Sequence, residues 1–357
     1  ACRSPALSAH APINSPAAGL TRERLQPRIL LLALVVIFVV AVPMALFLPM
    51  GRTPWRRPSP NPNGYDDFIK AGAAVLGSVG DFQTLDQASL RDLVSTNTEA
   101  LRRLRVGLTR QCVMPMNPAL TNAAGLLGQW TDMKSLVYLL AAEGRLREIE
   151  NRPADAARSY TDAIRFGNEM SRGGFLITRL VGIAGESTGC RALASVVPKL
   201  GREDARVVLA ELERVDAERV TWTEVRQNEL YLRSHQNAGH FNPVMGAKAW
   251  WRTREQMERG ETKHRTVIAH ERLLAAELAL RGYQSDQGHP PARLDDLVTN
   301  YLSGVPQDPF SGGPMIYRPQ STNWLLYSVG PDGVDDGGRP VGRGWQAKGD
   351  ILFDSSW

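Results

Sequence analysis

Three stretches of this chain hold residues whose types and spacing could do chemistry. Gly185-Glu186-Ser187-Thr188-Gly189 fits the G-x-S-x-G pattern of a nucleophile elbow, where a strained strand-to-helix turn lifts a serine hydroxyl toward a histidine and an acid. His270-Glu271-Arg272-Leu273-Leu274 opens like a zinc-protease helix, but Leu274 stands where the second ligand of an i, i+4 pair belongs. His264 and His270, six apart, fall on different helix faces and read as polar-face residues. Asp332, Asp335, Asp336 and Asp350 lie in a Gly-rich stretch and offer the hard oxygen donors that calcium takes.

Each pattern needs elements to position it. An elbow requires alternating strands, and none surround Ser187; His235 and His240 are only nominal partners, so the segment is expected to be a Gly-flanked break between two helices. No P-loop or dinucleotide fingerprint occurs, and no small-molecule substrate is evident. The formal charge of +5 is spread over scattered arginines without an aromatic-studded basic stripe, which argues against nucleic acid as a partner. Cys112 and Cys190 could pair outside the cytoplasm, but nothing in their spacing requires it, and buried free thiols are expected.

The chain divides into five parts. Residues 1–28, rich in Ala, Pro and Ser, read as a flexible tail. From Ile29 to Leu48 twenty residues carry no charge, enough helix to cross a bilayer core of roughly 30 Å, so 29–49 is expected to be a transmembrane helix. Residues 50–64 hold four prolines between Pro54 and Gly64 and form a stiff spacer. Residues 65–260 are mainly helical, with apolar faces at Leu101, Leu104 and Leu108, at Leu136, Leu139 and Leu140, and at Val208, Leu212 and Val215. Within them, Ala156, Tyr160 and Ala163 resemble the second helix of a tetratricopeptide repeat, although Glu143 falls where that repeat has an apolar residue and no second copy follows. Trp250-Trp251 could expose one ring, since adjacent helical residues diverge by about 100°.

Residues 261–357 change character. An amphipathic helix runs from Thr262 to Tyr283, where Gly282 is expected to break it, and short apolar segments at Met315–Tyr317, Trp324–Tyr327 and Ile351–Phe353 read as strands. The landmarks Gly282-Tyr283, Gly288-His289-Pro290, Leu294-Asp295-Asp296-Leu297, Tyr301-Leu302, Pro306-Gln307-Asp308-Pro309-Phe310, Leu326–Gly333 and Gly349-Asp350-Ile351 follow in an order that resembles the C-terminal domain of the major pseudopilin of type II secretion systems. The resemblance implies a long helix followed by a small antiparallel sheet, and calcium in the loop after Gly330-Pro331-Asp332-Gly333. Asp332 and Asp350 match that family's ligands, and Asp335 and Asp336 could replace those that the enlarged loop lacks.

The whole is read as an α+β protein with a single transmembrane helix, in the inner membrane with its large body outside the cytoplasm. It would act without catalysis as a protein-interaction or scaffold component, linked to protein secretion, with protein partners and calcium. An envelope serine hydrolase using Ser187 is the alternative. The pseudopilin fibre itself is a poor fit, because Gln26-Pro27-Arg28-Ile29-Leu30 lacks the processing glycine and the Phe-Thr-Leu-Ile-Glu segment of true subunits.

Overall fold

The computed structural model describes residues 58–116, 123–236, 243–342, 344 and 347–353. Helices α1 (Gly64–Gly72), α2 (Gln87–Thr96), α3 (Thr98–Leu108), α4 (Ala123–Ile149), α5 (Pro153–Met170), α6 (Leu176–Val196), α7 (Arg202–Ala217), α8 (Trp222–Gln236) and α9 (Pro243–Gln287) come first. Strands β1 (Ile316–Pro319), β2 (Trp324–Ser328) and β3 (Ile351–Leu352) then form one antiparallel sheet in the order β1-β2-β3. Ile316 pairs with Tyr327, and Ser328 with Ile351.

The α+β expectation is thereby corrected. The chain is predominantly α-helical, and the strands among the described residues make up only this small sheet. Its membrane component is corrected too: among the described residues no helix is long and apolar enough to cross a bilayer. Helix α9 carries Arg254, Glu258, Arg265 and Arg272 along its length, so its burial is against protein. The expected span at 29–49 lies outside the described residues, as do the tail and much of the spacer. The inner-membrane placement is therefore not retained.

Local chemistry explains where the helices start. Asn63 caps α1 by accepting from the Tyr65 amide, while the same side chain exchanges two bonds with Val113 (Nδ2 to O, 2.8 Å; N to Oδ1, 3.0 Å) and ties the chain entry to the strand-like segment after α3. Asp86 caps α2 through the Ser89 amide, and Pro153 occupies the first turn of α5, where its missing N–H is not needed. Gly282 does not break α9. A side chain there would stand 3.3 Å from the Tyr301 ring, so the glycine makes room for the aromatic, and the helix ends at Gln287, with Gly288 at φ +78°.

Two apolar clusters share α5. One gathers Phe68, Leu90, Leu104, Leu136 and Phe166 from α1–α5, with the Phe68 and Phe166 rings edge to face at 4.9 Å. The other joins Tyr160, Ile164, Leu193 and Leu212 to Leu273 and Leu280 of α9, and continues into Leu297, Met315, Leu326 and Ile351 around the sheet. Cys112 and Cys190 are free and buried, one in each cluster.

Helices α5 and α6 approach until backbone meets backbone. A Cβ at Gly167 would lie 2.4 Å from the Gly182 carbonyl oxygen, and one at Gly182 2.3 Å from that of Gly167. Gly189 is closed by Tyr160 O and Ile164, and Gly185 by Val137 of α4. Gly167→Ala and Gly182→Ala should each destabilise by about 2 kcal/mol, overpacking outweighing the helix propensity gained. Gly128→Ala, in α4 with open space around it, should instead stabilise by up to ~1 kcal/mol. Urea midpoints at constant m-value read both; equal effects at the three sites would contradict this packing.

Candidate functional site

Ser187 does not sit on an elbow. The segment Gly185–Gly189 is the continuous interior of α6, and neither glycine takes a positive φ. The expected break between two helices is thus corrected: the helix runs on through the glycines, which serve the close crossing with α4 and α5. His235 is exposed at the end of α8 and His240 lies outside the described residues.

Several perturbed titratable groups meet beside Ser187, in a buried charge network. Arg179 of α6, fully buried, donates to Glu186 Oε2 (2.9 Å) and Oε1, to Ser171 Oγ (3.2 Å) and to His264 Nδ1 of α9 (3.1 Å). Arg219, after α7, pairs with Glu186 (3.4 Å), Glu271 of α9 and Asp216 (3.2 Å). Asp216 also receives Arg272 Nε at 3.0 Å, whose Nη1 reaches the Gln307 carbonyl at 2.7 Å. Burial works against ionised Glu186, yet the Arg179 and Arg219 charges outweigh it and hold its carboxyl below the usual range. Burial pushes Glu271 up to about 8, Arg219 opposing and Glu186 adding, so Glu271 keeps its proton at neutral pH. His264 is lowered to about 2 by burial and by the Arg179 and Arg219 charges, and His270 to about 3 by burial and Arg191. Such shifts flag active sites when they border a cleft. Here the groups are enclosed by α5, α6, α7 and α9, and they orient helices. Sequence reasoning took the two histidines for polar-face residues and gave Arg179 and Glu186 no role; their i, i+7 spacing among glycines on one helix was the available signal.

The acidic loop is also built into the fold. Asp335 Oδ1 accepts from Tyr327 Oη (2.7 Å) and the Gly337 amide (2.9 Å), and its Oδ2 pairs with Arg318 at 3.0 Å. Asp350, fully buried, accepts from the amides of Gly338 (2.7 Å) and Asp336 (3.3 Å). Asp332 accepts from the Val334 amide at 3.3 Å. A calcium ion needs six to eight converging oxygens. Among the described residues no group of three or more His, Cys, Asp or Glu side chains is placed to hold a metal. The same loop uses two residues given no role above: Asp308 accepts from the Val329 amide (2.8 Å) and Ser328 Oγ (3.0 Å), and Gly330, at φ +72°, presses against the Gly349 carbonyl, where a Cβ would stand at 2.2 Å.

The open surface lies elsewhere. Two adjoining depressions of about 420 and 470 Å³ run along the helical body, and Arg105, Glu143 and Arg147 line both. The first lies between α3, α4, α5 and α7 and includes Arg158, Asp162 and Arg165; the second adds Leu101, Arg102 and Val106. The charge of Glu143 has a clear reason. It accepts from Arg105 and from Ser159 Oγ (2.7 Å), while the neighbouring Gly144 leaves room for the Tyr160 ring, whose hydroxyl donates to Glu148 at 2.6 Å. Trp251 is 62% exposed on α9, with the Arg254 guanidinium 5.7 Å from its ring centre. No protein-family model, curated protein or solved structure matches the chain, so its own geometry must carry the reading.

Two measurements follow from these bonds. The Asp350→Ala variant should melt lower than the parent by the same margin in chelator and in calcium, because it loses backbone caps; a calcium-induced rise in the parent's melting temperature that Asp332→Ala abolishes would instead put an ion in the loop. For pH, His264 and His270 titrate near their ordinary 6.5 only when unfolded, so the unfolded chain binds more protons below that pH and each histidine removes roughly 1.4 kcal/mol of stability per unit of acidification. Glu271 acts oppositely: folded, it holds its proton up to about 8, so stability is lost as pH rises from 4.5 through 8. Stability should therefore peak near pH 6.5, and His270→Leu should flatten the slope between about 5 and 6.5. Denaturation at stepped pH reads the curve, and a maximum above pH 8 would contradict it.

Proposed function

We propose that this chain is a non-enzymatic scaffold component, linked to protein secretion, whose helical body engages a protein partner. The observation that carries the reading is the pair of adjoining depressions on the helical face, open to solvent, while Glu186, Glu271, His264 and His270 are sealed inside the core. A surface that mixes guanidinium groups with apolar side chains suits recognition of another polypeptide, because arginine forks combine planar hydrogen bonding with large contact area. The C-terminal quarter supports the secretion link through its resemblance to the major pseudopilin domain: the long helix packs on a three-stranded antiparallel sheet, the order of elements which that resemblance implies. Asp308, Gly330 and Asp350, three of the landmark residues, fasten that unit, so the resemblance extends to residues that do structural work.

A photo-crosslinking amino acid placed at Val106 or Val207 should capture a discrete polypeptide in extract of the cells that make the protein. The same probe at Leu76, exposed outside the depressions, should not. Capture that is equal at the three positions, or absent from all, would remove the interaction reading.

A further inference from the structure

Arginines outnumber acids along the two depressions, five to four in the first and three to one in the second. In the Arg105–Glu143 and Arg158–Asp155 pairs the carboxylate lies deeper, whereas in Arg165–Glu211 it is the more exposed partner. Arg105 is 40% exposed and its partner Glu143 9%; Arg158 is 66% exposed and Asp155 27%. The acids hold the guanidinium groups in place from beneath: Arg105 Nε donates to Asp162 at 2.9 Å while its terminal nitrogens grip Glu143. Asp162 is itself held above the usual carboxylate range by burial, with Arg105 opposing. Arg165 is the least compensated member. Its nearest carboxylate, Glu211, is 4.0 Å away, it donates to the Leu108 carbonyl, and burial and the Arg214 charge work against its cation. A half-buried guanidinium with so distant a partner has donors in reserve for an anion. Beside these arginines the half-buried Val106 offers apolar surface in the second depression.

We propose that this groove binds an acidic peptide segment of a partner protein, its carboxylates meeting Arg105, Arg158 and Arg165 and an apolar side chain resting on Val106. The proposal rests on the interaction reading given above and adds the chemical class of the partner. Bidentate guanidinium–carboxylate pairs supply register, and the apolar contact distinguishes such a peptide from a bare polyanion. Because Arg158 and Arg105 remain partly in water, affinity should fall as salt rises.

The test is fluorescence polarisation of the full chain with a short labelled peptide that alternates glutamate with leucine. The expected result is saturable binding that weakens roughly tenfold or more when glutamine replaces glutamate in the peptide, and by a similar factor in Arg158→Glu. Arg158 is exposed, so this variant should keep the parent's melting temperature; Arg105→Gln provides a second, milder change, and Arg293→Glu, exposed on the C-terminal unit, should bind as the parent does. Equal binding of the glutamate and glutamine peptides would overturn the proposal. So would a single-stranded oligonucleotide of equal charge that binds as tightly and competes, since that would make the site a general polyanion surface. If crosslinking at Val106 captures a protein while the acidic peptide fails to bind, the interaction reading stands and the acidic partner falls; if both fail, both fall.

Discussion

The arrangement of this protein depends on the buried pairing of Arg179 and Arg219 with Glu186 and Glu271. Four ionisable side chains from α6, from the turn after α7 and from α9 meet where water is excluded, and none could be tolerated there alone. Stranding one such charge costs roughly 3–5 kcal/mol, a large share of the stability of any domain. The consequence is geometric. Glu186 accepts from both arginines, so α6 is locked in rotation; Glu271 and His264 then fix the face that α9 turns toward α6. Since the other face of α9 carries β2 and β3, the placement of the sheet is inherited from ion pairs in the helical body. Arg272 extends the chain of contacts to Gln307, in the loop that leads to β1.

Much of this architecture was legible in the sequence, and the failures have a common cause. Apolar periodicity located α3, α4, α7 and the C-terminal half of α9, and short apolar runs located the three strands within a residue or two. Glycine was misjudged twice. Gly282 and the Gly185–Gly189 segment were both expected to interrupt helices, because a glycine costs helix propensity, but each makes room for a neighbour: the Tyr301 ring, and the flanks of α4 and α5. Charge was misjudged in the same manner. Arg179, Glu186 and Glu271 look solvated in a one-dimensional pattern, and only their convergence from distant parts of the chain makes their burial affordable. The spacing of Gly182, Gly185 and Gly189 on one face, with Arg179 and Glu186 beside it, marks a helix enclosed on several sides. The surface depressions were not legible, since they are made by four helices that approach only in three dimensions.

The acidic residues near the C-terminus show how one pattern can serve a different purpose. Aspartates among glycines suggest an ion, yet Asp308, Asp335 and Asp350 spend their oxygens on backbone amides, on Tyr327 and on Arg318. A carboxylate is a good fastener for a glycine-rich loop because it can accept several bonds at once and so replaces the ladder that irregular backbone lacks. Resemblance carried by such residues speaks to shape before it speaks to ligand.

Helix α9 has a mechanical consequence. Its 45 residues would extend about 68 Å at 1.5 Å per residue. Glycines are where so long a rod would flex. At Gly260 the space that a side chain would need is filled by Leu176 and Trp222, each 2.8 Å from the position of a Cβ, and at Gly282 by Tyr301. Ahead of Gly260 the exposed stretch is braced along its own surface by Arg254–Glu258 and Glu255–Arg259. From Gly260 onward the helix is thus a clamped beam without a joint at Gly260 or Gly282, so a load applied to the sheet is passed on to the helical body.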